Sequence, residues 1–140
     1  MKYKSLIFGT SLFTAIGTML YWGVVFTGLS PVVELVPGYT TWFWSFPLPD
    51  FWIVITSVLL AFSIKTKRDA MAVVCGLLTA SGMVFLALNE LMFSFYTGMI
   101  RMPVRDIGID LIIKIYCLSV GAFYIKQFSA RIAQAFAAHR

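Results

Sequence analysis

Residues 104–126 read VRDIGIDLIIKIYCLSVGAFYIK, and the placement of this stretch decides the fold. Asp106, Asp110 and Lys114 are four residues apart, so on a helix they stack along one face. Cys117, Gly121 and Tyr124 continue that face. Ile107, Ile109, Leu111, Ile112, Ile113 and Ile115 make the rest of the segment aliphatic. Such a segment suits a transmembrane helix, and Asp110 and Lys114 then lie inside the hydrocarbon. Charges at that depth are rare. They face a bundle interior or a wet cavity and are by default a functional hypothesis.

The composition agrees with a membrane setting. The chain has 140 residues, 60% of them hydrophobic and 12% charged, with a mean hydropathy of +0.88. Soluble domains carry roughly twice that share of charge, and a soluble chain this apolar would expose large aggregating patches. The expected partner is therefore the lipid bilayer. The net charge of +5 does not imply nucleic acid. Lys2, Lys4, Lys65, Lys67, Arg68, Lys126, Arg131 and Arg140 all flank apolar segments, with no basic patch of the kind a phosphate backbone needs.

Taken in order, the chain predicts four transmembrane helices, over about 5–28, 50–65, 70–97 and 106–126, in one integral membrane domain spanning 1–140. Residues 5–33 carry no charge. That run is too long for the h-region of a cleaved signal and ends in Tyr21-Trp22 and Gly28, so it reads as a first helix. Thr10, Thr14 and Thr18 on it suit helix packing, with hydroxyls returned to the backbone. Residues 30–50, SPVVELVPGYTTWFWSFPLPD, hold four of the five prolines and a cluster of aromatics. Such aromatics settle at a membrane interface. Pro47 and Pro49 predict an extended SFPLP, because a proline disfavours helix at the residue before it. Asp50 then suits the N-cap of the second helix.

From Phe51 to Ile64 that helix would be only about 21 Å long, against a hydrocarbon core of about 30 Å. The aromatic loop is therefore expected as a cap on the bundle. Ala72, Gly76 and Ala80 form a small-residue ridge for close packing on the third helix, and Gly98 is its expected stop. The tail 127–140, with Phe128, Ile132 and Phe136 four apart, predicts a short amphipathic helix on the membrane surface or against a partner. The lysine and arginine distribution places both termini in the cytoplasm. The expected location is a cell inner membrane, crossed several times.

Depths along the helices bring the polar groups together. Glu90 falls about 10 Å and Lys114 about 12 Å below the outer helix ends, with Asp110 and Asp50 at about 6 Å. Glu90 and Lys114 are thus expected to pair, since either charge buried alone would be costly. The alternative is that Lys114 turns to Asp110, one helical turn away. Beyond a structural ion pair, the pattern predicts an outward-facing polar pocket. Asp50, Asn89, Glu90, Asp110 and Lys114 would wall it, and Trp42, Trp44 and Phe46 would close it. Unmatched carboxylates in one site suit proton coupling, cation binding or acid–base work.

No cofactor or metal is expected. His139 is the only histidine and stands in the tail, which removes histidine-ligated haem and metal centres. Cys75 and Cys117 stand alone in apolar segments, without the C-x-x-C spacing of a redox pair. No phosphate loop occurs, and no Ser/His/Asp set supports catalysis.

S45-F-P-L-P-D50 before one helix, N89-E-L-M-F at the end of the next, and F95-Y-T-G-M99 before an acidic fourth helix resemble small four-helix bacterial membrane proteins of uncharacterised function. The resemblance covers residues 45–110. It implies a compact four-helix bundle and no particular reaction. Ile100 departs from the pattern, where an aromatic residue would follow Gly98-Met99.

The functional expectation is a small protein that binds or transports an amphipathic or cationic molecule. An accessory subunit of a larger membrane complex is the alternative, and a membrane-embedded lipid isomerase the second. A homo-oligomer is compatible with each.

Overall fold

The computed structural model describes residues 3–137. Five α-helices follow one another: α1 (Lys4–Phe26), α2 (Tyr39–Phe43), α3 (Pro47–Lys65), α4 (Asp69–Thr97) and α5 (Val104–Ala137), with a 3₁₀ turn at Met99–Arg101. Four segments are long and apolar enough to cross a bilayer: Lys4–Phe26, Tyr39–Lys65, Asp69–Thr97 and Ile107–Ala137. The protein is an all-α, four-helix transmembrane bundle. Its helix surfaces suit lipid, since Leu20, Phe85, Leu88 and Ile115 all point outward and are exposed.

The helices pack in a row, α1 on α3, α3 on α4 and α4 on α5. Two apolar cores lie along it. Ile7, Leu60, Ala72, Cys75, Ala80, Tyr124 and Phe128 fill the end that holds the two termini, here the tail end. Trp22, Phe43, Phe46, Ile53, Met83 and Leu86 fill the opposite, loop end. The small-residue ridge of α4 does what its spacing suggests: Ala72, Gly76 and Ala80 are buried. A Cβ built on Gly76 would lie 2.0 Å from the Phe128 ring, and one on Gly121 would lie 2.7 Å from Val84. Only glycine lets α4 and α5 approach so closely. At the tail end Asp69 accepts ion pairs from Lys4 (3.8 Å) and Arg131 (3.3 Å), which link the starts of α1 and α4 to α5.

Gly98 ends α4 in the left-handed region, at φ 77°, as its place in the sequence suggests. Three boundaries differ from expectation. Pro47 is the first residue of α3 and Pro49 the third, so PLPD is helical rather than extended. The first turn of a helix has no intrahelical use for those N–H groups, so proline is tolerated there. The extra turn brings α3 to 19 residues, about 28 Å, enough to cross the hydrocarbon core. Asp50 is accordingly not the N-cap. Phe46 holds that position, and Asp50 lies within the first turn.

The tail is not a separate surface helix. Residues 127–137 continue α5 without a break, and Phe128 is fully buried on Gly76. The rest of the predicted tail, with His139, lies outside the described residues. The connection 27–46 also contains the short helix α2, which the expectation of a proline-rich loop did not include.

Candidate functional site

A cavity of about 670 Å³ opens within the loop-end half of the bundle, within the size range of small-molecule sites. Each element contributes to it through a short local pattern. On α1, Gly17, Tyr21 and Trp22 face inward. On α3, Asp50 and Ile53 are one turn apart, and Glu90 does the same job on α4. From α5 come Gly108, Ile109, Asp110 and Ile112, and Arg105 stands at the exposed rim.

The three carboxylates of Asp50, Glu90 and Asp110 therefore converge on one space, held by three different helices. Their surroundings differ. Asp50 accepts a hydrogen bond from the Trp22 indole N–H at 2.8 Å. Asp110 accepts a charge-assisted bond from the Lys114 ammonium, one turn along α5. Glu90 has neither kind of support: its Oε2 is buried and has no hydrogen-bond partner among the described residues.

This corrects the expected pairing of Glu90 with Lys114. Lys114 is buried, at 7% exposure, behind the cavity wall rather than in it. Its ammonium bonds Asp110 and, at 2.7 Å, the Ser94 hydroxyl. The hydroxyl in turn donates to the Glu90 carbonyl at 2.9 Å. Both partners of Lys114 stand one turn closer to the loop end than the levels matched by sequence. A lysine stem carries its charge away from its own Cα, so matching backbone depth selects the wrong acidic residue. Of the alternatives weighed, the i,i+4 contact is the one formed.

The aromatic loop covers the cavity's loop end. Trp42 stacks flat on Phe93 of α4, with centroids 4.0 Å apart and planes at 9°. It also meets Phe46 edge-on at 4.5 Å. Tyr39 lies between Trp42, Phe43 and Phe93. Glu34 fastens the start of α2, accepting from the backbone N–H groups of Gly38 (2.6 Å) and Thr40 (2.8 Å).

Of the eight residues predicted for the pocket, Asp50, Glu90, Asp110, Trp42 and Phe46 line the cavity. Three do not. Asn89 is exposed on another face of α4. Trp44 is turned outward, 45% exposed, and stacks on Phe26. Lys114 supports Asp110 from behind. Trp22, Tyr21, Tyr39, Tyr116 and Cys117 join the lining unpredicted. Trp22 carried a signal: an indole N–H in an apolar helix needs an acceptor, and Asp50 provides it.

Both cysteines are free, Cys75 in the tail-end core and Cys117 on the cavity wall. Among the described residues no three His, Cys, Asp or Glu side chains gather as a metal site. What the arrangement can do is accept hydrogen bonds and positive charge at one end of a mostly apolar chamber. Comparison of the chain with family profiles, curated proteins and solved structures finds no match, so the site is read from its own geometry.

Proposed function

We propose that the protein is a small membrane receptor or carrier for an amphipathic molecule with a cationic head. The observation that carries this reading is the Glu90 carboxyl group on the wall of a 670 Å³ cavity, with its Oε2 buried and without a hydrogen-bond partner among the described residues. A buried carboxylate oxygen without a donor is costly, and an ammonium group bound at the Glu90 carboxylate would offset that cost. Asp50 adds a second carboxylate nearby, while the charge of Asp110 is already matched by Lys114. The apolar body would lie against Ile109, Ile112 and the aromatic side chains of Tyr21 and Trp42, all of which line the same chamber. In the sequence, eight of the eleven lysines and arginines flank the N-terminus, the 65–68 turn and the C-terminal tail, which supports an inner-membrane topology with both termini cytoplasmic and the cavity on the outer side. A cysteine at position 38 should then be labelled from outside and one at position 67 should not; the opposite pattern would invert the topology.

Binding is tested with tryptophan quenching. In a Trp44→Phe/Trp52→Phe background, Trp22 and Trp42 report on the cavity. Titration with an alkylamine brominated on its chain should quench them saturably. The matching brominated alcohol should bind more weakly. A hydrogen bond to a charged group contributes about 1.5–3 kcal/mol, so Glu90→Gln should weaken amine binding by roughly tenfold to a hundredfold. Equal quenching by amine and alcohol, or an unchanged amine affinity in Glu90→Gln, would refute the reading.

A further inference from the structure

We propose that the cavity opens sideways into the bilayer through the seam between α1 and α5, so that its occupant is a membrane-dissolved long-chain amine whose hydrocarbon chain passes through that seam. The amine head rests on the function proposed above; the lateral opening does not.

The two helices stand at the ends of the packed row, and their relation changes along its length. Toward the tail end they are tied together. The Thr10 hydroxyl meets the Tyr124 hydroxyl at 2.8 Å, and Thr14 meets Tyr116 at 2.7 Å. Tyr3 and Phe123 make an edge contact at 5.9 Å, and Phe13 and Tyr116 another at 5.6 Å. Beyond Thr14 and Tyr116 the cavity lies between the two helices, with Gly17 and Tyr21 on one side and Gly108 and Ile112 on the other.

The glycines make the contrast sharp. At Gly76 and Gly121, where α4 and α5 touch, an added Cβ would fall 2.0 and 2.7 Å from a neighbour. At Gly17 and Gly108 it would meet nothing within 4 Å. Small residues that elsewhere in this bundle bring two helices together here border open space. The flanks of that opening are lipid-facing: Phe13 is 65%, Ile109 71% and Ile112 68% exposed. The apolar outer surface therefore runs into the chamber at this level, with Thr18 as a polar neighbour on α1 and Arg105 displaced toward the loop end of α5. At the loop end, by contrast, the Trp42–Phe93 stack and Phe46 stand in the way. A charged group free in water has no apolar seam to cross, whereas the chain of an amphiphile can remain in hydrocarbon while its head reaches Glu90 and Asp50.

The test places the protein, with Trp44→Phe and Trp52→Phe, in nanodiscs of phosphatidylcholine brominated on its acyl chains. Chains that lie in the seam quench Trp22 and Trp42. Gly17→Leu and Gly108→Leu fill the seam and should reduce that quenching by half or more. Gly9→Leu, the same change on α1 with open space around it but away from the cavity, should leave it unchanged and controls for helix effects. Equal quenching in wild type and in both seam variants overturns the lateral opening. The brominated amine is then titrated into the same discs, and its affinity should fall at least tenfold in Gly17→Leu. If the seam variants reduce lipid quenching but no variant, nor the wild type, binds amine in a Glu90-dependent way, the opening stands and the cationic head group is overturned. If amine binding responds to Glu90→Gln but neither lipid quenching nor amine affinity responds to Gly17→Leu, the head group stands and the sideways route is overturned.

Discussion

Lys114 provides the most direct check on how the site is held. Its ammonium is buried with two acceptors among the described residues, the Asp110 carboxylate and the Ser94 hydroxyl. Its side chain is 8% exposed and that of Asp110 21%. Asp110→Leu leaves the ammonium with one neutral partner, and breaking a buried pair from one side costs about 3–5 kcal/mol. Lys114→Met leaves a third unmatched carboxylate on a cavity that already holds Asp50 and Glu90. Its cost should sit near the lower end, about 3 kcal/mol, because Asp110 can be hydrated from the cavity. The double change replaces both charges by apolar groups and should return to within about 1 kcal/mol of wild type.

The coupling between residues 110 and 114 should therefore be about 5 kcal/mol or more, while a Glu90→Gln/Lys114→Met cycle should stay below about 1 kcal/mol. Thermal unfolding in detergent, followed by tryptophan emission, reads these differences. On the scale of roughly 2–4 °C per kcal/mol for chains of this size, each single change should lower Tm by about 6–20 °C. Larger coupling of Lys114 to Glu90 than to Asp110, or strict additivity of Asp110→Leu and Lys114→Met, would refute the assignment.

Three further outcomes follow from particular contacts. Glu90→Leu removes a carboxylate whose buried Oε2 has no hydrogen-bond partner among the described residues and should raise stability by about 1–3 kcal/mol in the empty protein, read as a higher Tm in the same melt. Gly76→Ala should lower stability by about 1–3 kcal/mol despite alanine's better helix propensity, because its Cβ meets the Phe128 ring at 2.0 Å; Phe128→Ala on top of it should show non-additive recovery. Hydrogen bonds from Thr40, side chain before backbone, and from the Gly38 and Tyr39 N–H groups hold the Glu34 carboxyl below its ordinary value of 4.5. Its support of α2 is thus complete above that pH and lost as pH falls through the lower folded value, so the protection of amides 38–43, taken relative to their intrinsic exchange rates, should fall in acid, and Glu34→Gln should abolish that acid step.

The sequence exposes those parts of this architecture that depend on local composition. The four spans follow from uninterrupted apolar runs, and the meeting of Asp50, Glu90 and Asp110 follows from counting helical turns inward from the loops. The rest depends on where side chains point. Asn89 is adjacent to Glu90, yet one residue along a helix turns a side chain by about 100°, away from the cavity. Trp42 and Trp44 are two apart, and such pairs do not share a helical face; α2 makes that spacing helical, with Trp44 as its C-cap. Lys126 marks where α5 meets the interface in sequence terms, but nothing between it and Phe128 breaks a helix, so α5 runs on and Phe128 reaches the core. Proline penalties read from sequence likewise assume a helix interior, whereas Pro47 and Pro49 sit in a first turn.

The distribution of polar groups also decides between a chamber and a channel. Every carboxylate on the cavity lies in the loop-end half. In the tail-end half the buried polar side chains of α1, α3 and α4 are hydroxyls, such as those of Ser11, Ser63 and Thr79. Tyr124, Phe128, Ile7 and Leu60 fill the space between the helices there to 0% exposure. A ligand at Glu90 therefore meets a dry floor and has no polar path to the tail end. Crossing the membrane along the α1–α5 seam would require its two hydroxyl ties, Thr10–Tyr124 and Thr14–Tyr116, to break, each contributing about 0.6 kcal/mol and at most about 1.7. The bonds are the smaller obstacle. Tyr124 and Phe128 would also have to leave a core in which Gly76 has been spared a side chain to seat one of them. In this conformation the cavity is closed toward the tail end, and under the function proposed above a carrier cycle would have to begin by unpacking Phe128 from Gly76.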